Sequence, residues 1–520
     1  MKKIQLFLLS IITLLAFLLR VRFFLSGDFY FLIDQARDLM LVKQIIFEHP
    51  LTLIGARTGL GGLFHGPLWL YMITPFFELF KGNPFLSLVP LFLILSLSVV
   101  ILGFYIGWKL NGVYMGLLLA LVLSVSSSLI SDIIYTSNAH VEPIIVLLYL
   151  FTTIQFLRGK DKHLIFSLFL IGLGFQFESA FAVLLIPLTI FIILLKHKLP
   201  RLKILFISIV AFLTPLSTFI LFDLRHQFLM TKAFLRLFSS PIKPLPGYEQ
   251  YSNIVFRFFD RINALQDAFL SLLPNRNILA IIFLLIVVLS GLFIVAKRVF
   301  KNRKLTIFDK EYFFIMLSPI IIFGLYIFYP LPLWPHYLLP ITIFMAFILI
   351  YSVKVIYKYK FFKVITLIFI LFLLIPVLQL LNFQYILGKS AIINSDGSYK
   401  NQLNVSNWVL NDAGKNRVGY FVYSPGILTY NMDYLLWWLS VKEDKLTPVN
   451  QKLRTTYLIL YPHLANDNNA YNFWKKNVIR TDGRVILTKK FNGGILVEKL
   501  LIQTNEQPID SNYFQNLIFR

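Results

Sequence analysis

The stretch Ile33-Asp34-Gln35-Ala36-Arg37-Asp38 decides how this chain is read. It sets two carboxylates and a guanidinium directly behind the first long apolar run, in a sequence that is otherwise mostly lipid-soluble. In helical conformation Asp34, Arg37 and Asp38 fall at i, i+3 and i+4 and share one face. The helix continues through Leu41, Val42 and Ile45, so it is suited to lie on a bilayer with its acidic end turned to a cavity. Acid on the outer rim of a membrane bundle is where a hydroxyl can lose its proton beside a lipid-borne substrate.

Outward from those residues, composition bounds the class. The 520 residues are 58% hydrophobic and 14% charged, and mean hydropathy is +0.74. A soluble protein of this size cannot hide so much apolar surface, and several runs are long enough to cross hydrocarbon. The net charge of +24 does not signal nucleic acid, because the cations gather in short connections between apolar runs. With no cysteine, disulfides, thiolate nucleophiles and cysteine metal sites are excluded. The amino terminus, Met1-Lys2-Lys3 followed by an apolar run to Leu19, reads as a retained signal anchor with a cytoplasmic amino end. No small-x-small cleavage site follows it.

Further apolar runs cover 84–107, 113–131, 141–157, 164–176, 177–195, 203–222, 277–296, 311–330, 336–353 and 363–382. Cationic connections (158–162, 196–203, 297–310 and 354–363) alternate with poorly cationic ones at 132–140, 176–178 and 331–335. Placing the cationic ones in the cytoplasm gives about eleven spans. The segment from His65 to Glu78 reaches only about 20 Å as a helix, short of a bilayer core, so it reads as re-entrant or surface-lying. The expected organisation is a helical membrane domain over 1–382, with external loops at about 26–83 and 223–276, and an extracytoplasmic α/β domain over 383–520. In that last part, strand candidates are Val418–Tyr423, Thr456–Tyr461, Val485–Thr488 and Gly494–Val497. Helix candidates are Asn404–Asp412, Asp433–Val441 and Ala470–Val478. The protein is expected in the plasma (inner) membrane.

Several residues could carry chemistry, and each has a plainer alternative. Asp34 and Asp38 serve as acids facing a cavity, or as a helix cap and a partner for Arg37. Glu142-Pro143, at the start of a span, offers a second acid facing the same cavity, or an ordinary acidic first turn. Arg225 and His226 emerge externally after Asp223 and suit a phosphate as fork and point donor. Arg20 and Arg22 fit the same role, or simply snorkel to headgroups. His65 either contacts a phosphate or hydroxyl, or starts a helix with Pro67 in its first turn. Trp334 and Tyr337 also fit an interfacial aromatic belt.

The acidic motif after the first span, His65-Gly66-Pro67-Leu68, and Trp334-Pro335-His336-Tyr337-Leu338-Leu339-Pro340 together resemble the GT-C glycosyltransferases. The nearest likeness is to glycosyltransferase family 39 and its relatives, the protein O-mannosyltransferases and the aminoarabinose transferases of lipid A. The likeness spans roughly residues 1–380. It implies that Asp34 occupies the place of the catalytic base. Those enzymes usually carry Asp-Glu where this chain has Asp34-Gln35, which leaves open whether Asp38 takes the second role. Glu142 stands where the family often has Asp-Pro, His65-Gly66 where it has His-Pro, and His336 where it has Arg.

The activity expected on this basis is transfer of a sugar from a polyprenyl-phosphate donor to an extracytoplasmic hydroxyl on a glycan, lipid or protein. A phosphate leaves without being protonated, so one carboxylate base suffices, and direct displacement predicts inversion. Arg37, His65, Arg225, His226, His336 and Tyr337 are the expected substrate-binding residues. No cofactor is certain; a divalent metal bound by Asp34 and Glu142 stays open, with a ligand set too sparse to predict one. The competing reading is a polytopic transporter or flippase of lipid-linked or amphipathic substrates. It would place charges in mid-span and show a repeat, whereas here they sit at span ends and no repeat is found.

Overall fold

The computed structural model describes residues 3–196, 199–239, 248–380, 390, 392–424, 428–462, 468–503 and 506–510. Each of the eleven apolar runs is helical. The first five helices are α1 (Lys3–Ser26), α2 (Ile33–Phe47), α3 (Leu68–Leu79), α4 (Pro84–Asn111) and α5 (Val113–Val125). Among the described residues, six helices are long and apolar enough to cross a membrane. The pair Leu202–Leu213 and Ser217–Arg225, bent by 63°, would make a seventh. Other runs fall short for physical reasons. Ile307–Tyr326 carries Asp309, Lys310 and Glu311 in its first turns. Helix α5 has only 13 residues, and nearly all of them are enclosed by other helices, so it need not meet lipid along a full span. Pro335–Ile356 is the most enclosed span, while α1 runs along the periphery. Helix α3 has 12 residues, about 18 Å, shorter than a bilayer core.

Arg20 corrects the reading of the first span. It does not snorkel; it is fully buried and donates to Ser96 Oγ (2.6 Å) and to the carbonyls of Ala16 (3.2 Å), Ser124 (2.8 Å) and Leu123 (3.1 Å). It pins α1 to α4 and α5, because a buried guanidinium must find acceptors for its fork of donors. The second external-loop candidate holds two amphipathic helices, Leu229–Ser239 and Ile254–Leu270. Its proline-rich centre (Pro241, Pro244, Pro246) lies outside the described residues, as does the expected boundary at 382/383.

Beyond that boundary the chain forms a small α/β unit. Its strands are β1 (Gly419–Tyr423), β2 (Thr455–Leu460), β3 (Arg484–Lys490) and β4 (Leu496–Leu501), in the order β1-β2-β4-β3. β1 and β2 are parallel, and the other pairs are antiparallel. Alternate residues split between two cores. Tyr420, Val422, Tyr457 and Ile459 face the helices Tyr399–Ala413 and Tyr430–Lys442, while Phe421, Leu458 and Leu460 pack on Trp474 and Ile479. The last strand starts two residues later than its candidate segment, because Gly493 and Gly494 take φ of 75° and 77° and make a turn.

This unit grips the segment that leads into α2. Phe31 N–H donates to Gly397 O (2.9 Å), Tyr399 N–H to Phe29 O (3.0 Å) and Gln402 Nε2 to Phe31 O (2.9 Å). The buried Asp28 carboxylate accepts from Ser398 Oγ (2.8 Å), Lys400 N–H (3.1 Å) and Ser390 Oγ. Six residues after Asp28, Asp34 therefore starts from a fixed backbone.

Candidate active site

Helix α2 begins at Ile33, with Leu32 rather than Asp34 at its cap. Gln35 closes that end. Its Oε1 accepts from Leu32 N–H (3.0 Å), and its Nε2 donates to the carbonyl of Thr136. A glutamate could supply the first bond but not the second, which gives a physical reason for glutamine at this position.

One turn on, the expected shared face is real. Arg37 Nη1 lies 2.7 Å from Asp34 Oδ1, while its Nε (3.1 Å) and Nη2 (2.9 Å) both reach Asp38 Oδ1. The two acids have different fates. Asp38 is 6% exposed, and its other oxygen accepts from the Trp69 indole of α3 at 2.8 Å, so it is held on both sides. Asp34 is 48% exposed, and among the described residues its second oxygen meets only the Tyr135 hydroxyl, at 3.4 Å. Asp38 fastens the arginine and α3; Asp34 stays open.

The surroundings of Asp34 come from distant parts of the chain. Tyr135 stacks on His336 (centroids 6.3 Å, 9° between planes), and His336 contacts Tyr337 edge-on at 4.5 Å. His65 lies 3.3 Å through Nδ1 from Asn138 Nδ2, and that amide also donates to Phe177 O. Desolvation first, and then the Arg37 charge, push the His65 imidazole down to about 4, so it is neutral near pH 7. It can exchange hydrogen bonds but brings no charge to a phosphate.

Glu178 is a site residue that the sequence reading missed. It caps the helix Ser179–Ala182 through a 3.2 Å bond from Ala180 N–H to its Oε1. Burial, with a further push from Asp34, lifts its carboxyl to about 7. Its only sequence signal is an acid lodged in a tight turn between two apolar runs. Tyr135 and Trp69 were missed as well, since no local spacing ties them to α2.

The remaining predicted residues make no described contact with Asp34. Glu142 is fully buried in the first turn of its span. Arg225 and His226 are exposed at the end of Ser217–Arg225. His226 stacks on Phe222 at 4.0 Å, and Asp223 is spent on the next helix, accepting from Met230 N–H (2.7 Å) and Thr231 N–H (2.9 Å). No described contact joins Arg225 or His226 to the Asp34 group. Among the described residues, no group of three or more His, Cys, Asp or Glu side chains is placed to hold a metal ion.

No protein-family model and no curated protein sequence matches the chain. Solved structures do. ArnT from Cupriavidus metallidurans bound to undecaprenyl phosphate aligns over 95% of this chain and 97% of its own, with TM-score 0.54 and 10% identity. The same protein in the apo state gives TM-score 0.54 at 9% identity, covering 92% and 96%. An Archaeoglobus fulgidus oligosaccharyltransferase in complex with Zn and sulfate gives TM-score 0.50 at 12% identity, covering 87% of this chain and 67% of that one. At such identities the likeness speaks for architecture, and on that ground this chain has the fold of the GT-C superfamily.

Proposed function

We propose that this chain is an integral-membrane glycosyltransferase that moves a sugar from a polyprenyl-phosphate donor onto a hydroxyl acceptor outside the cytoplasm, with inversion at the anomeric carbon. The observation that carries this reading is the contrast within one helical turn. Asp38 is fully engaged, whereas Asp34 is half open at the end of an apolar bundle whose fold is shared with a protein that binds undecaprenyl phosphate.

Asp34 takes the acceptor proton as the oxygen attacks. Arg37 holds that carboxylate in place through one arm while anchored to Asp38 through the other, so the base is oriented before substrate arrives. The neutral His65 and the Tyr135–His336 stack supply hydrogen-bonding edges beside it. The leaving phosphate keeps its charge and needs no acid, which suits a site with one available carboxylate. The α/β unit, through its grip on 28–31, keeps the start of α2 in register with these partners.

The test is transfer of label from short-chain polyprenyl-phosphate sugars by purified protein in lipid, with the anomeric configuration of the product read by NMR. Transfer with inversion supports the reading. Retention would require a covalent intermediate and contradict it.

A further inference from the structure

Beyond Glu178, whose carboxyl feels the charge of Asp34, lies a cluster of buried oxygen atoms that the steps above leave unused. Glu142 has no exposed surface, and neither of its carboxyl oxygens has a hydrogen-bond partner among the described residues. The Glu178 N–H nearby is spent on Gly174 O at 2.9 Å. Glu178, 5% exposed, is close enough for the two carboxyls to interact, and no Lys or Arg among the described residues forms an ion pair with either. Independently of these acids, the Tyr326 hydroxyl, on a residue 2% exposed, is also without a partner, and it faces the charges of both glutamates. Tyr337 joins the group through Glu178 and Tyr326. Gly174 lies against this cluster: a Cβ there would meet Ala182 Cβ at 3.0 Å and the two Glu142 oxygens at 3.4 and 3.5 Å.

A buried carboxyl with both oxygens unfilled costs several kcal/mol unless something brings it hydrogen-bond donors. Among the described residues no hydrogen bond reaches the Glu142 oxygens, and the Glu178 carboxyl and the Tyr326 hydroxyl lie near them instead. Resting on the glycosyl-transfer reading, we propose that Glu142, Glu178, Tyr326 and Tyr337 form the subsite that receives the sugar head of the donor, and that it accepts neutral or positively charged sugars and rejects uronic acids. Sugar O–H groups, or a protonated amine, fill the carboxyl oxygens, and the tyrosine rings give the apolar faces of the ring a surface to lie on. A carboxylate on the sugar would lose its hydration in a water-poor site where no Lys or Arg among the described residues pairs with Glu142 or Glu178, and an uncompensated buried charge is costly. Glu142 and Glu178 thereby select and position, while Asp34 does the proton transfer.

The experiment compares three short-chain polyprenyl-phosphate donors, carrying a neutral hexose, an aminohexose and a hexuronic acid, with full-length protein in lipid vesicles. Wild type should use the first or second and discriminate against the uronosyl donor by about a hundredfold or more in kcat/KM. Glu142→Gln should raise the KM for the preferred donor about tenfold, the loss expected for one hydrogen bond to a charged group, and narrow the discrimination against the uronosyl donor. Tyr326→Phe, which removes only an unpartnered hydroxyl and should fold normally, should raise donor KM with kcat largely kept. Equal use of uronosyl and neutral donors by wild type would overturn the subsite, as would unchanged donor KM in both variants. Transfer of none of the three would sink the glycosyl-transfer reading itself, and the subsite with it.

Discussion

The two ends of the helical bundle treat buried charge in opposite ways. The helix Glu142–Leu157 runs between them, with Glu142 at the Asp34 end and Arg158 about 24 Å away at the other. At the Arg158 end the acids are saturated. Glu311 accepts a bidentate fork from Arg158 (2.6 and 3.0 Å) and a further bond from Tyr351 (3.0 Å). The Nη2 that donates to Glu311 also reaches Leu110 O at 3.1 Å. Asp309 is held by Arg298 and Thr306, and Asp161 by Lys196. At the Asp34 end, one acid is left half open, another has no hydrogen-bond partner among the described residues, and a third accepts one bond from its own helix. Bringing charge into an apolar body costs the same at both ends. One end compensates it with the chain's own donors, and the other leaves it for something that binds.

The comparison can be broken at either end. The largest effect is expected for Arg37→Ala, which strips the compensation from buried Asp38 and the orientation from Asp34 together. Turnover should disappear, and stability should fall by roughly 3–5 kcal/mol, read as a lowered melting temperature in detergent. Glu311→Gln attacks the saturated end. It should cost about 3 kcal/mol of stability while leaving turnover per folded molecule unchanged; a selective loss of turnover would mean that end takes part in the reaction.

Glu178→Gln sharpens the contrast through pH. The unfolded chain ionises this carboxyl near its ordinary value of 4.5, but the folded protein holds the proton to about 7. Native protein binds more protons across that window, so wild-type stability falls as pH rises from about 4.5 to 7. Glutamine removes that fall. Its melting temperature should exceed the wild type's above pH 7 and converge with it at pH 4. The smallest effect is expected for His65→Gln. With the imidazole already neutral above about 4, the pH–rate profiles of variant and wild type should superimpose between pH 5 and 8 after scaling.

What could be read from the sequence followed the range of the interactions involved. The apolar runs were visible because lipid demands continuous apolar stretches, and α3 was legible as short from its length alone, whereas the shortness of α5 and of His163–Gly174 was not. The Asp34–Arg37–Asp38 face was legible because helical spacing is local. Arg20 was misread since its partners on α4 and α5 lie 76 to 104 residues away. Trp69 and Tyr135, 31 and 101 residues from their aspartates, carry no local mark of their roles. The roles of Asp34 and Asp38 look interchangeable in the sequence; they separate only when packing opens one and closes the other.

The central claim is that the open aspartate, and not its enclosed neighbour, removes the acceptor proton. Single-turnover transfer with labelled lipid-linked donor already bound to Asp34→Asn protein tests it most directly. The label should stay on the lipid, with transfer slowed at least about a hundredfold and donor binding kept. Movement of the label to acceptor at the wild-type rate would contradict the account.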